Sequence, residues 1–165
     1  MFYKLVGVII FSLMLSSCST LTGMAYNEGN GFIIKQEGFS GVNIEYQHEN
    51  YLRQEQERLN DLRMTNESIN LARAGLILIT SNQLTIGAAN TKWLEYVLFD
   101  QDGNEIKRKR GTDKIANVPI GTSPYATWWN IDSFTVPYNV QAPFKFVVIN
   151  HITNRKVTFT ISPPK

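Results

Sequence analysis

From about residue 73 onward the apolar residues of this chain fall into short runs separated by turn-formers. Gly75-Leu76-Ile77-Leu78-Ile79-Thr80 is a continuous apolar run of strand length, the pattern of a strand covered on both faces. Leu84 and Ile86 then alternate with polar residues. Residues 93–99 are rich in aromatic and β-branched side chains. Gln101-Asp102-Gly103-Asn104 is a hairpin signal, which makes 105–110 the returning strand. Further strands are expected over 128–136, 144–149 and 157–161, with 151–155 connecting the last two. Upstream, Phe32-Ile33-Ile34 and the alternating Val42, Ile44 and Tyr46 predict a first pair, with Gly38 and Gly41 between them. Pro119, Pro124, Pro137 and Pro143 all fall between strand candidates, where a missing backbone donor does least harm. Short strands with regular turn signals predict a mainly β fold, a β-sandwich.

One stretch breaks this pattern. Residues 49–64 contain no Gly, Pro, Val or Ile and are dense in Glu, Gln, Arg and Leu, all strong helix formers. Leu52, Leu59 and Leu62 make a narrow apolar stripe that Glu55 and Gln56 interrupt. Arg53 and Glu57, four apart, attract, as do Glu55 and Arg58, three apart. So thin a stripe fits a polar surface helix lying on a sheet, or a projecting helix that docks into a partner through Leu52 and Leu59.

The first eighteen residues follow a different logic. Lys4 supplies one positive charge, residues 5–15 are almost wholly apolar, and Leu15-Ser16-Ser17-Cys18 closes with small residues and the only cysteine. The apolar run is too short to cross a bilayer as a helix and has the layout of a secretory signal peptide. Its ending resembles the lipobox of bacterial lipoproteins. That resemblance implies cleavage between Ser17 and Cys18, acylation of Cys18, and attachment to a membrane through it. With Ser19 rather than Asp next, it implies the outer membrane, facing the periplasm, in a Gram-negative cell. The expected organisation is a signal peptide over 1–17, a lipidated flexible tether over 18–31, and a single sandwich domain over 32–165. Gly23, Gly29 and Gly31 support the flexible reading of the tether.

Composition narrows the chemistry. The chain carries 16 basic and 14 acidic residues, with Lys4 among the former, so its net charge gives no reason to expect nucleic acid. An acylated Cys18 leaves no thiol for a disulfide, a redox centre or a thiolate metal site. His48 and His151 are the only histidines. No Gly-x-Ser-x-Gly elbow, Ser-x-x-Lys motif, metal-ligand spacing or phosphate-cradling glycine loop occurs. No cofactor, metal or catalytic residue is therefore expected.

Two segments carry candidate surfaces. Lys107-Arg108-Lys109-Arg110 puts charge on both faces of any strand, so it must be an edge or leave the sheet. It serves either to block edge-to-edge aggregation or to touch anionic headgroups or an acidic partner. On either reading, replacing these four residues by serine is expected to leave stability nearly unchanged. In Tyr125-Ala126-Thr127-Trp128-Trp129-Asn130 the two tryptophans face opposite sides. Trp129, sharing a face with Thr127 and Ile131, is the expected core residue, and Trp128 with Tyr125 the expected partner surface, with the polar helix the one element expected to cover it.

Residues 90–100 with Asp102-Gly103-Asn104 resemble the core of the FxLYD family of small extracytoplasmic Ig-like domains. Ile120-Gly121-Thr122-Ser123-Pro124-Tyr125 resembles the Gly-centred turn of that family. The resemblance implies an Ig-like sandwich without catalytic residues. The combined expectation is a non-catalytic binding or accessory lipoprotein of the cell envelope with an envelope protein as partner, its oligomeric state open. The alternatives are an immunity or exclusion lipoprotein against a toxin or phage factor, and an envelope hydrolase in which His48 or His151 meets a serine.

Overall fold

The computed structural model describes residues 22–26, 31–38, 41–67, 74–119 and 126–164. In chain order these form β1 (Thr22–Tyr26), β2 (Ile33–Glu37), β3 (Val42–His48), α1 (Glu49–Arg63) and β4 (Gly75–Gln83). A 3-10 turn (Thr91–Trp93) leads into β5 (Leu94–Phe99), followed by β6 (Glu105–Arg110), β7 (Trp128–Val136), β8 (Phe144–Asn150) and β9 (Arg155–Ser162). All pairings are antiparallel, in a six-stranded sheet of order β1-β2-β9-β8-β5-β6 and a three-stranded sheet of order β3-β4-β7. Counting from β3, the second strand pairs with the fifth, the third with the sixth and the sixth with the seventh. That is the pairing of an immunoglobulin-type β-sandwich.

Alternation explains the core. Every second residue is buried in β8, in β7 from Asn130 on and in β9 from Val157 on. Ile77, Ile79, Phe134 and Val136 of the small sheet meet Tyr96, Leu98, Phe146, Val148 and Phe159 of the large one. Phe146 has Phe134 edge-on at 5.2 Å and Tyr96 stacked at 6.0 Å. Each such side chain removed from water contributes about 1.5–3 kcal/mol. β4 departs from its expected double coverage. Ile77 and Ile79 point inward, whereas Leu76 and Leu78 are only half-buried on the outer face. Gly75 lies beneath a ring: a Cβ there would come within 2.7 Å of Tyr46 Cε2.

Two further expectations are corrected. Residues 22–26, read as part of the tether, form β1 on the edge of β2, in register Thr22↔Glu37 to Tyr26↔Ile33. An exposed strand edge offers free backbone donors and acceptors, and pairing through the main chain leaves no mark in the side-chain pattern. Leu84 and Ile86, read as alternating strand residues, lie in the turn after β4 and are exposed.

The registers define two ends. At one end, called here the β1 end, lie Thr22, the connection from β2 to β3, the 84–93 turn, the start of the 111–119 segment and the 151–154 turn. The opposite, helix end carries the Asp100–Asn104 hairpin turn, α1 and the 137–143 connection.

Candidate interaction surfaces

β6 and β7 are edges of different sheets, and the basic run is spent between them. On β7 the odd-numbered residues turn their backbone groups toward the unpaired edge. Lys107 Nζ reaches across to Thr135 O at 3.0 Å and to Thr135 Oγ1, lying 4.9 Å from the Phe134 ring centroid. Lys109 Nζ donates to Ser133 O at 2.7 Å, and Lys114 Nζ to Ile131 O at 3.3 Å. The facing N–H groups of Ile131 and Ser133 donate to Asn130 Oδ1 and Asp132 Oδ1. Trp129 pairs main chain to main chain with Asn117. Three lysines and two inward polar side chains thus close an edge that would otherwise template another strand. Arg108 lies on the opposite face, bonded to Glu95 at 3.0 Å and Glu105 at 2.6 Å. Those two carboxylates raise its pKa further above the ordinary arginine value. The expected anionic contact through Lys107, Arg108 and Lys109 is therefore corrected: these three charges have partners within the sandwich. Arg110 remains on the outer face opposite Glu95.

Behind this edge lies a buried polar knot. Asp132, 3 % exposed, accepts from Thr112 N (2.9 Å), Thr112 Oγ1 (3.1 Å), Tyr96 Oη (3.2 Å) and Ser133 N (2.8 Å), with Lys109 Nζ 3.5 Å away. Burial alone would raise its pKa. The bonds from the Thr112 and Ser133 amides and the Lys109 charge outweigh that and hold it below the usual carboxylate range. Burial, and then Asp132, push the Tyr96 phenol upward.

The tryptophan expectation reverses. Trp128 shares the inward face with Asn130, Asp132, Phe134 and Val136, while Trp129 lies outward with exposed Ile131 and donates its indole N–H to Val118 O at 3.2 Å. Two polar residues at inward positions misdirect an apolar reading of β7. Tyr125, Ser17 and Cys18 lie outside the described residues.

α1 runs over the expected span, starting at an His48 N-cap and ending at Met64 in the left-handed region (φ 53°). The Thr65 N–H closes the last turn on Asn60 O at 3.0 Å. Arg53 pairs with Glu49 at 2.6 Å, and Arg58 with Glu55. No residue of α1 is buried, and its main contacts are with β3 and β4, the strands that flank it in sequence, with Arg53 also near Tyr138 of the 137–143 connection. It does not lie on a sheet as a core-covering helix would. Leu52 and Leu59 are half-buried, and Leu62 and Met64 are exposed. Glu49 N donates to Ala74 O at 3.0 Å, so the excursion leaves and rejoins the sandwich at one point.

Beside its first turn lies a cleft of about 310 Å³ walled by Phe32, Tyr46, His48, Glu49, Tyr138 and Gln141. The His48 ring stacks on Phe32 at 5.4 Å, and burial pushes the Tyr46 phenol up to about 12. His151 belongs to the β1 end, with Nε2 2.8 Å from Glu95 Oε2. The two histidines sit at opposite ends of the sandwich and form no common site. Among the described residues no three His, Cys, Asp or Glu side chains converge as metal ligands. The sequence reading missed Asp132, Tyr96 and this aromatic cleft. Alternation of Asn130 and Asp132 with Phe134 and Val136 was the available signal for the first.

No protein family matches this chain, nor does any curated protein or solved structure.

Proposed function

We propose that this chain is a lipid-anchored, non-catalytic binding protein of the bacterial cell envelope, presenting α1 to an envelope protein. The observation that carries the reading is an ordered helix that contributes no buried residue to the core. Core-covering helices bury an apolar stripe; this one keeps Leu62 and Met64 in water at its far tip. Met64 also holds a left-handed conformation that disfavours a non-glycine residue by about 1–3 kcal/mol. A helix presenting spaced apolar anchors suits docking into a groove of a partner. The leader-like pattern ending at Cys18 supports the anchor, and β1 begins four residues later, at the end of the sandwich opposite α1.

The test is a photo-crosslinking amino acid placed at Leu62 or Met64 in living cells, followed by mass spectrometry of what is captured. One protein recovered from both positions, and lost in the Cys18→Ala variant, is the expected result. Recovery of nothing above a probe placed at Asp102 would overturn the reading.

A further inference from the structure

Large exposed apolar residues are unevenly distributed over this sandwich. Leu84 is 79 % exposed, Ile115 88 % and Val118 68 %, and Ile86, Trp93 and Ile152 are also exposed. All six belong to the β1 end. They come from three separate connections: the turn after β4, the segment running along β7 toward its start, and the β8–β9 turn. No secondary-structure pattern calls for them to gather there. Scattered apolar residues on a surface need no explanation, but a concentration at one end marks a contact surface.

The charge on this end has one prevailing sign. Arg155 and Lys156 follow the turn that carries Ile152 and make no ion pair among the described residues. Arg110 lies in the same cross-strand row as Lys156, two strands beyond Ile149 with Glu95 between. Lys92 stands over the Trp93 ring at 5.3 Å, a cation and an amphipathic aromatic side by side. The acids here, Asp113, Glu95 and Glu37, are already engaged, the first two with Lys92, Asn90, Arg108 and His151 and the third with Lys35 at 3.5 Å. At the helix end acids outnumber bases: α1 carries Glu49, Glu55, Glu57 and Asp61 against Arg53, Arg58 and Arg63, and the hairpin turn adds Asp100 and Asp102.

The chain supplies the geometry. Thr22 pairs with Glu37 at the β1 end, and Cys18 precedes it by four residues, a reach of at most about 14 Å. β8 alone spans about 24 Å, so the helix end lies well beyond that reach. We infer that the β1 end is a membrane-contact face. It seats Leu84, Ile115 and Ile152 in the headgroup layer of a bilayer rich in anionic lipid, with Trp93 at the interface and Arg110, Arg155 and Lys156 on the phosphates. This rests on the lipid-anchor reading for the place of attachment. Apolar side chains, an interfacial tryptophan and unpaired cations are the set that recognises such a surface. Docked so, the sandwich holds α1 pointing away from the membrane, toward whatever it binds.

The test uses the full chain, purified from cells and reconstituted in vesicles of phosphatidylglycerol and phosphatidylethanolamine. Mass spectrometry of the N-terminal peptide reports acylation. Nitroxides are placed at Leu84→Cys, Ile115→Cys and Ile152→Cys, and at Asp102→Cys and Met64→Cys as the opposite end. The first three are expected to be shielded from an aqueous relaxant and open to oxygen, the last two the reverse. Replacing the anionic lipid by a neutral one, or Arg155→Gln with Lys156→Gln, should reduce the docked population about 5-fold per charge. All five positions open to water on an acylated, vesicle-bound protein would overturn the inference and leave the anchor standing. Shielding that appears only when envelope proteins are added would also overturn it, in favour of a protein partner. An unacylated N-terminus would sink the anchor reading. The inference then survives only if the chain still binds anionic vesicles through the same three positions, and absence of binding would end it too.

Discussion

β6 and α1 are the two most hydrophilic elements of this molecule, and they end in opposite roles. β6 reads Glu-Ile-Lys-Arg-Lys-Arg and looks solvated, yet two of its lysines reach into the gap between the sheets and cap carbonyls of β7. α1 reads as a helix that ought to rest on a sheet, yet its charges pair along its own surface and none of its residues is buried. Charge density alone therefore does not separate a structural segment from a presenting one. What separates them is whether the partner of each charge lies on the same element or on another.

Five variants test that contrast, beginning where the effect should be largest. Asp132→Ala removes a buried acceptor of four donors and leaves Tyr96 Oη and the Thr112 amide without it. We expect a loss of about 3 kcal/mol in urea unfolding. Lys107→Met with Lys109→Met should cost about 1 kcal/mol each, since both charges bond carbonyls while remaining partly hydrated. The variant should also scatter light on standing, because the β7 edge is uncovered. An unchanged unfolding midpoint would return β6 to the role of a simple solvated edge.

Next comes the pH dependence. Asp132 has its pKa held below the unfolded value near 3.9, so its contribution is present above about pH 4 and is lost as pH falls through the folded value. Acid unfolding followed by tryptophan fluorescence should therefore have a shallower pH dependence in Asp132→Asn. Tyr46 works in the other direction. With its folded pKa raised to about 12, its contribution is complete below about pH 10 and declines as pH rises toward 12. The smallest effects belong to the helix. Met64→Gly should raise stability by about 1 kcal/mol by relieving the left-handed backbone. Leu62→Ser should fall within about 0.5 kcal/mol of the parent. A large loss on Leu62→Ser would mean that α1 is part of the folding unit after all.

Much of this architecture is legible in the amino-acid order. Strand-type runs between turn-formers located β7, β8 and β9, the Asp-Gly turn located the β5–β6 hairpin, and composition located α1 within one residue of its C-terminal bound. Consecutive charges identified β6 as an edge, because no half-buried strand tolerates them. What the order hides is partnership across distance. Nothing near Lys107 announces Thr135, twenty-eight residues on. Asn130 and Asp132 look like outward residues until Tyr96, Thr112 and Lys114 are brought over them, and that is why the faces of Trp128 and Trp129 read inverted. The residue pattern does not mark the edge on which β1 pairs with β2, and Leu84 with Ile86 imitates in a turn the alternation of a strand.

Gly111 closes β6 at a point where two backbones nearly touch. Its N–H donates to Leu94 O at 2.9 Å, and a Cβ there would lie 1.9 Å from Thr91 O. Even alanine would wedge the 111–113 segment off the 3-10 turn, breaking the Thr91 hydroxyl bond to Thr112 O and withdrawing Thr112 from Asp132. In a saturating substitution scan, position 111 should stand as an empty row, while the rows through α1 fill with almost any residue but proline.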